Sequence, residues 1–573
     1  MGKTLLFPEW RPDLTELGTG VSPLISGVYP RADGYGPFPS IVAYTNALPS
    51  ACRGACFARN SDGSVTLFAG TSTRLYKLNA TTFTWEDVSK GGSAYTTMVD
   101  GKMWDFAQYN DVLIAVQVGT APQAFTLSSS SAFADLGGSP PQAANVTIIG
   151  RFVFLSGLLS NPRRIQWCDL DAITTWTAGV GLADYQDLPD GGLVKRIAGG
   201  DAFGVCFQED GKIRSLVYAP GSATVFQINV IATNDPLFAE YSVISVSDKI
   251  FYCSAQGFKK IEAANSAPVA IGKQRIDHTF FEDVDTSSLY LMRAATDPNF
   301  TRIYWSYKSI QGNAGLFDKA LLYDWTLGEN GRFTVVPMSG EFLATFATPG
   351  VTLEGVDPLA PTQISVTGAA NNGSGKIRLT LSALSNADFN IVGQNFIVVQ
   401  GVTGTTEANG TWAFTVIDST HIDLVGSTFS NAYVSGGKIG GSLDALNFSL
   451  DSIAAAALPR LAAFDSSHKL GFFSGANVEA ILETDEKDGE GTLMFVNELL
   501  LLSDSNNALC SIGYRDSPQD AVEYTTEQAV DTKGKTFPLI ETRYARARVR
   551  ISAGSTWSWI RGIQPEFVEA GSE

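Results

Sequence analysis

The chain has 573 residues, a mass of 61.2 kDa and a formal net charge of -18, too long for one simple core and too acidic to hold nucleic acid through its phosphates. Hydrophobic residues make up 44% but charged residues only 17%, and there are 56 Gly against 6 Met and 3 His. That balance suits short strands joined by tight turns; without a triplet repeat, a sustained heptad or a charged polar tract it excludes collagen, coiled coil and disorder.

Residues 1–55 carry Pro8, Pro12, Pro23, Pro30, Pro37, Pro39 and Pro49. Proline gives no ladder donor and biases its predecessor towards extended geometry, so an extended N-terminal arm draped over a body is expected. Met1 is followed by no apolar stretch of signal-peptide length, and runs such as Leu499–Leu502 fall far short of the roughly 20 residues that cross a bilayer. The expectation is a soluble chain made in a cytoplasm. Cys52, Cys56, Cys168, Cys206, Cys253 and Cys510 form no CxxC pair, and Cys52 with Cys56 finds no second pair or nearby His for zinc. Reduced thiols packed as small apolar residues are expected.

From about residue 60 a coarse repeat carries the fold argument. Leu78 precedes a polar turn and Trp85, Leu127 precedes one and Phe133, and Leu170 precedes one and Trp176. Each reads as a hairpin: an apolar strand, a small polar turn, and an aromatic that begins the next strand. Weaker versions follow at Val217–Phe226, Ile261–Val269 and Leu322–Phe333, with further turns at Arg59–Gly63 and Phe207–Gly211 upstream. The anchor spacings are 49 (78 to 127), 43 (127 to 170), 47 (170 to 217) and 44 (217 to 261), near one four-stranded propeller blade per step. The next step, 261 to 323, is 62, where a helix is expected around Gln274–Glu282. The predicted fold is all-β: a β-propeller of six to eight blades, one or more incomplete, whose first part spans 56–358. A tandem array of sandwiches is the competing architecture.

Near residue 355 the composition shifts towards Ser, Thr, Gly and Asn, with clean alternation at Lys376–Leu381, Asn395–Gln400, Thr411–Val416 and His421–Val425. Residues 359–441 are therefore predicted as a small β-barrel or sandwich inserted in a surface loop. The segment 442–573 is read as the second part of the propeller with closing C-terminal strands. It starts with a short Ala-rich helix near Ile453–Leu458 and includes an acidic run, Glu483–Glu490, expected as a solvated loop.

A search for chemistry finds little. His278, His421 and His468 are the only histidines, and no nucleophile elbow precedes a helix. Gly368–Lys376 and Gly534–Thr536 only resemble phosphate loops, and a turn explains both better. No catalytic, cofactor or metal residue is assigned. Arg546, Arg548 and Arg550 recur at every second residue and share one face of a strand. Two readings stand: a solvated or ion-paired strand face, or a contact strand for an acidic partner subunit.

The order of features resembles the tail-nozzle, or packaged-DNA-stabilising, tail-tube structural proteins of short-tailed (podovirus-type) bacteriophages. The resemblance is carried by Pro30–Pro39, Leu67–Thr71, Leu75–Leu78, Arg275–Phe280, Asp297–Trp305 and the Arg-rich closing strand. Val402–Trp412 with Ile417–Leu424 looks like a small β-module inserted in many virion proteins. The resemblance implies a homo-oligomeric, hexameric ring in the virion tail, joined to a tail adaptor protein and to tail fibres or spikes. Viral DNA would pass through an acidic lumen that repels phosphate and does not grip it. It also implies no enzymatic activity, no cofactor and no membrane insertion. The rival is a carbohydrate-binding or glycoside-cleaving propeller, whose carboxylate pair has no local spacing rule.

Overall fold

The computed structural model describes residues 4–14, 20–80, 82–222, 224–328, 330–347, 364–382, 396–440, 459–489 and 492–569. Within these, five consecutive segments each fold into a four-stranded antiparallel sheet: 55–87, 105–135, 143–187, 194–232 and 244–270, blades one to five. Blade six is the four strands of 294–340, which continue into a larger sheet. Blade seven is a four-stranded sheet assembled from Phe342–Phe346, Arg460–Phe464, Lys469–Asn477 and Pro39–Ala47.

The middle strands of a blade are covered by neighbours on both faces, which is why Val112–Val116 and Phe152–Leu158 are apolar runs, while an outer strand such as Asp184–Asp187 is polar and largely exposed. Every interface between blades is filled by aromatic or aliphatic side chains. Phe68 meets Phe125 between blades one and two, Val116 meets Leu155 and Trp176 between two and three, and Phe154 and Trp167 meet Phe226 between three and four. Phe207 meets Tyr252, Phe258 meets Trp305, and Leu322 meets Leu461 at the next three. Finally Phe464 of blade seven packs with Leu67 of blade one, and the ring closes. This is a β-propeller.

The anchors of the sequence repeat mark one recurring place, the turn after a blade's third strand. Those strands end at Leu78, Thr126, Trp167, Tyr218 and Ile261. Leu78 pairs with Trp85, Tyr218 with Phe226, Lys260 with Val269 and Tyr323 with Phe333 across the turns. Blade three departs from the expected hairpin: Arg164–Trp167 pairs with Asp184–Asp187, and Leu170–Trp176 lies in the long connection between them. There the Asp169 carboxylate accepts from Leu170 N and Leu182 N (2.8 and 2.6 Å) and folds the loop back, while Trp176 is buried against blade two. The long step after residue 261 holds the expected helix, Asp277–Asp283, and a 3-10 turn, Thr286–Leu291.

The inserted unit is a closed six-stranded barrel in the order Ile364–Asn371, Ile377–Leu381, His421–Leu424, Gly410–Val416, Phe396–Gln400 and Lys438–Gly440, with its own core of Ile377, Leu379, Val399, Ile422 and Leu424. It leaves blade seven between paired strands, since Phe346 lies opposite Arg460. The insertion thus stands where a hairpin turn would, and long loops at such a point cost little entropy. The Ala-rich helix expected at Ile453–Leu458 lies outside the described residues.

The proline-rich start is not an arm. Leu5–Leu6, Ile25–Ser26, Val28–Arg31 and Gly34–Pro37 are strands in two sheets completed by the C-terminal third of the chain, and Pro39–Ala47 is the outer strand of blade seven. In the seven-stranded sheet Val28–Arg31 is the end strand, where Pro30 leaves no ladder bond unmade. In the other sheet Ser26 runs parallel to Val335 of blade six and antiparallel to Ile481, and the sheet continues through Ala480–Glu483, Tyr544–Ile551 and Ala508–Arg515. The two sheets share one core, including Ile25, Val28, Leu482, Val496, Leu499, Val549 and Ile563. Gly27 at the crossing has φ +73, and a Cβ there would sit 1.9 Å from the Glu479 carbonyl, so only glycine fits. Most of 480–569 therefore builds this second β unit; the propeller's own late strands end at Asn477.

Candidate functional site

The innermost strands bring one polar cluster together on the propeller axis. Its members come from the segments leading into, or starting, the inner strands of all seven blades: Arg53, Lys102 and Asp105, Asn145, Arg196, Glu240 and Tyr241, Arg293, and Glu341. Arg196 of blade four reaches back to Asp105 of blade two (Nη2 to Oδ1, 3.1 Å) and donates through Nη1 to Asn145 Oδ1 of blade three (3.2 Å). Asp105 also accepts from Val146 N at 3.0 Å. Burial opposes charge on Arg196, but Asp105 and Glu240 outweigh it and hold the guanidinium more firmly protonated than usual.

Tyr241 is the hub. Its hydroxyl accepts from Met103 N (3.0 Å), and the guanidiniums of Arg196 and Arg293 lie 5.7 and 5.5 Å from its ring centroid. Lys102 pairs with Glu240 at 2.7 Å. Arg293 also stacks 4.0 Å over Phe342 and donates from Nε to Leu343 O (3.4 Å). Burial, with the charge of Arg196 next, lowers its pKa to about 10.

Beside the hub is a cavity of about 300 Å³ lined by Cys52, Arg53, Met103, Tyr290, Glu341 and Ser466, among others. Glu341 Oε2 accepts from Cys52 N (3.1 Å), and Oε1 stands 2.6 Å from Nδ1 of His468. Burial pushes the Glu341 carboxyl up and the Cys52 thiol well up. Arg53 lies 5.5 Å over the Tyr290 ring, and its Nη1 is buried with no hydrogen-bond partner among the described residues. None of these residues stands out in the sequence, because each is an isolated charge before a different strand.

The residues singled out from the sequence lie elsewhere. Arg546, Arg548 and Arg550 do share one face of Tyr544–Ile551, and each is ion-paired within the chain. Arg546 Nε is 3.2 Å from Glu483 Oε2, Arg548 Nε is 2.5 Å from Glu483 Oε1, and Arg550 reaches Glu479 (3.2 Å) and Glu527 (2.8 Å). The acidic run expected as a solvated loop is buried at its start: Glu483, Thr484, Asp485 and Glu486 are 1%, 0%, 7% and 2% exposed. Cross-strand arginines make that burial possible, since Arg515 Nε also donates to Glu486 Oε1 at 2.8 Å.

His278 is exposed on the helix beside Glu282 (3.5 Å), and His421 pairs with Asp418 (2.9 Å). The Gly368–Lys376 lookalike is a hairpin turn in which Asn371 Oδ1 accepts from Gly373 N and Gly375 N. Asp531 Oδ1 organises the turn at Gly534 in the same way, accepting from Lys533 N and Lys535 N. No group of three or more His, Cys, Asp or Glu placed to hold a metal ion occurs among the described residues.

Fold and axial cluster define the class: a β-propeller protein with an inserted barrel and a second β unit on its flank. No family model and no curated protein matches the chain. Among solved structures it is similar to BamB from Moraxella catarrhalis (14% identity, 56% of this chain and 87% of that one, TM-score 0.30). It is also similar to the RRP9 WD40 repeats (9% identity, 60% and 92%, TM-score 0.34). A third is the β-propeller domain of Myceliophteria thermophila Cps50 (Swd1), at 8% identity, 59% and 96% coverage and TM-score 0.33. The fold assignment rests on the sheet topology itself.

Proposed function

We propose that the chain is a virion structural protein, a component of the distal nozzle or tube of a short phage tail. In this reading it assembles as a homo-oligomeric ring, on the family pattern a hexamer, between a tail adaptor and fibres or spikes. Its lumen retains genomic DNA and then conducts it. The observation that carries the reading is the use of cations: Arg546, Arg548 and Arg550, the one basic feature of the sequence, are consumed by Glu483, Glu479 and Glu527 of the same chain. A net charge of -18 then faces a phosphate backbone without a basic strand to hold it, which favours sliding over grip.

The test is the mass and form of the purified particle, by light scattering and electron microscopy. A ring with an acidic channel of roughly 20 Å or more, the scale of duplex DNA, supports the proposal. Absence of duplex retention in a mobility-shift assay at about 0.15 M salt supports it as well. A stable monomer that cleaves sugars overturns it in favour of the glycosidase reading.

A further inference from the structure

A second cavity, of about 320 Å³, opens where blades six and seven meet the flanking unit. Its lining is rich in aromatic rings, and three of its polar groups are unspent. The turn between the first two strands of blade six, Asp297–Arg302, forms one side. Phe300 stands on that turn 53% exposed, the most exposed phenylalanine among the described residues. Arg302 lies over the Tyr29 and Phe300 rings, 4.2 and 4.7 Å from their centroids, and pairs with Asp324 (Nε to Oδ2, 3.5 Å) outside the lining. Its charge is thus matched, and its contacts stiffen the ring wall.

From blade seven, the Arg460 guanidinium lies 4.7 Å over Phe472 and makes no hydrogen bond or ion pair among the described residues. Asp297 spends Oδ1 on Asn299 N (3.2 Å), and its Oδ2 has no hydrogen-bond partner among the described residues. Asn299 Nδ2 donates to Pro459 O (3.0 Å), which ties the turn to the residue before Arg460 and leaves Oδ1 of the amide open. A free donor and two free acceptors therefore line one cavity. Arg460 and Asp297 offset each other in charge, so the lining favours a neutral ligand over an ion. The rings that meet there do so at an angle: Phe38 is tilted 51° to both Tyr304 and Phe473, a wall that suits a puckered ring better than a planar base. Such a ligand needs an apolar face to lie on a ring and hydroxyls that both donate and accept.

We propose that this cavity binds a neutral saccharide through one hexose ring, with Phe300 as stacking surface, Arg460 as donor, and Asp297 and Asn299 as acceptors. A pyranose carries C–H groups on its faces and hydroxyls around its edge, and about 320 Å³ is at the small end of ligand sites. The site binds without cleaving: Asp297 is the only carboxylate among the lining residues, and glycoside hydrolysis takes two, about 5–9.5 Å apart. It is independent of the tail role and stands or falls separately from it.

The experiment is saturation-transfer NMR titration of the full chain with glucose, galactose and mannose, and with glucuronate and adenosine for comparison. The expected result is saturable one-site binding of at least one neutral hexose, with a Kd of about 1 mM, and weaker binding of glucuronate and adenosine. Arg460→Gln removes a group with no other partner and is expected to weaken binding roughly tenfold or more. Phe300→Ala, at an exposed position, is expected to weaken it by roughly tenfold. Phe537→Ala removes a ring 46% exposed in the flanking unit and is expected to leave binding unchanged. Failure of all three hexoses to bind, tighter binding of glucuronate or adenosine, or wild-type affinity in Arg460→Gln or Phe300→Ala overturns the proposal.

Discussion

Glu483→Ala tests the reasoning about the buried acidic run most directly. Glu483 is 1% exposed and is shared by Arg546 Nε (3.2 Å), Arg548 Nε (2.5 Å) and the Tyr524 hydroxyl, which donates at 2.9 Å. Removing the carboxylate takes the shared counter-charge from two guanidiniums, two residues apart on one strand face, that keep their contacts with Tyr524. Breaking a buried pair from one side costs about 3–5 kcal/mol, much of it the penalty of the stranded charge. Glu483→Gln keeps an acceptor for Tyr524 and loses only the charge, so about 1.5–3 kcal/mol is expected. The arginines should follow their burial. Arg546, with 10% of its side chain exposed, costs more than Arg548 at 30%. Arg550, whose partners Glu479 and Glu527 are 46% and 33% exposed, should cost no more than about 1 kcal/mol. The assay is chemical denaturation, with hydrogen-exchange mass spectrometry on peptides from 480–488 and 544–551 to localise the loss. A cost below about 1 kcal/mol for Glu483→Ala, or one for Arg550→Ala as large as for Glu483→Ala, refutes the argument.

Asp277 supplies a pH dependence of the opposite sign to ordinary carboxylates. Burial, with the nearby Asp13 charge adding to it and the Phe258 N–H opposing, raises its pKa from 3.8 to about 6. The folded state therefore binds this proton more tightly than the unfolded chain, so Asp277 costs stability above pH 6 and that cost is relieved as pH falls from about 6 to 4. Asp277→Asn should stabilise the protein at neutral pH by up to about 2 kcal/mol and flatten this part of the stability curve; an unchanged curve refutes the assignment. The thiols give a third expectation. Five cysteines are buried and Cys56 is half-buried, and burial raises Cys168 to about 11 and Cys206 and Cys510 to about 12. Iodoacetamide at about pH 8 should leave the native protein unlabelled and modify all six after denaturation, by mass spectrometry; fast native labelling of any one refutes it.

What the sequence makes legible follows from contact distance along the chain. Blades one, two, four and five are consecutive hairpins, so an apolar strand end and a following aromatic, Leu78 and Trp85 or Tyr218 and Phe226, announce them locally. Blade seven has no such signature, because Val42 pairs with Phe472 and Leu343 with Ala463, across the barrel insertion. The flanking β unit is hidden for the same reason: Leu5 pairs with Ile563 and Ile25 with Leu482. Charge density misleads at Glu483–Glu486, which reads as solvated until the alternation at Arg546 and Arg548 is seen to lie opposite it on a neighbouring strand. The axial cluster is the extreme case. Its charges are spread from Arg53 to Glu341 and acquire a common address only when the ring closes.

That closure is also what fixes the flanking unit to the propeller. The chain leaves it at Pro37 and enters blade seven at Pro39 with one residue between, Phe38, which is 3% exposed and packs against Tyr304 of blade six and Phe473 of blade seven. On its other side Ser26 runs beside Val335, so the unit's sheet and that of blade six are one. Blade six thus holds the unit through a backbone ladder and blade seven through the chain itself at Phe38, and a rotation of the unit would break sheet hydrogen bonds and expose Phe38. The last strand to complete the ring, Pro39–Ala47, is therefore positioned from the flanking unit, and the barrel is inserted into that same blade. Propeller, flank and insertion meet at blade seven, so a displacement of any one of them is opposed by the hydrogen-bond ladders of Pro39–Ala47 with Lys469–Asn477 and of Phe342–Phe346 with Arg460–Phe464.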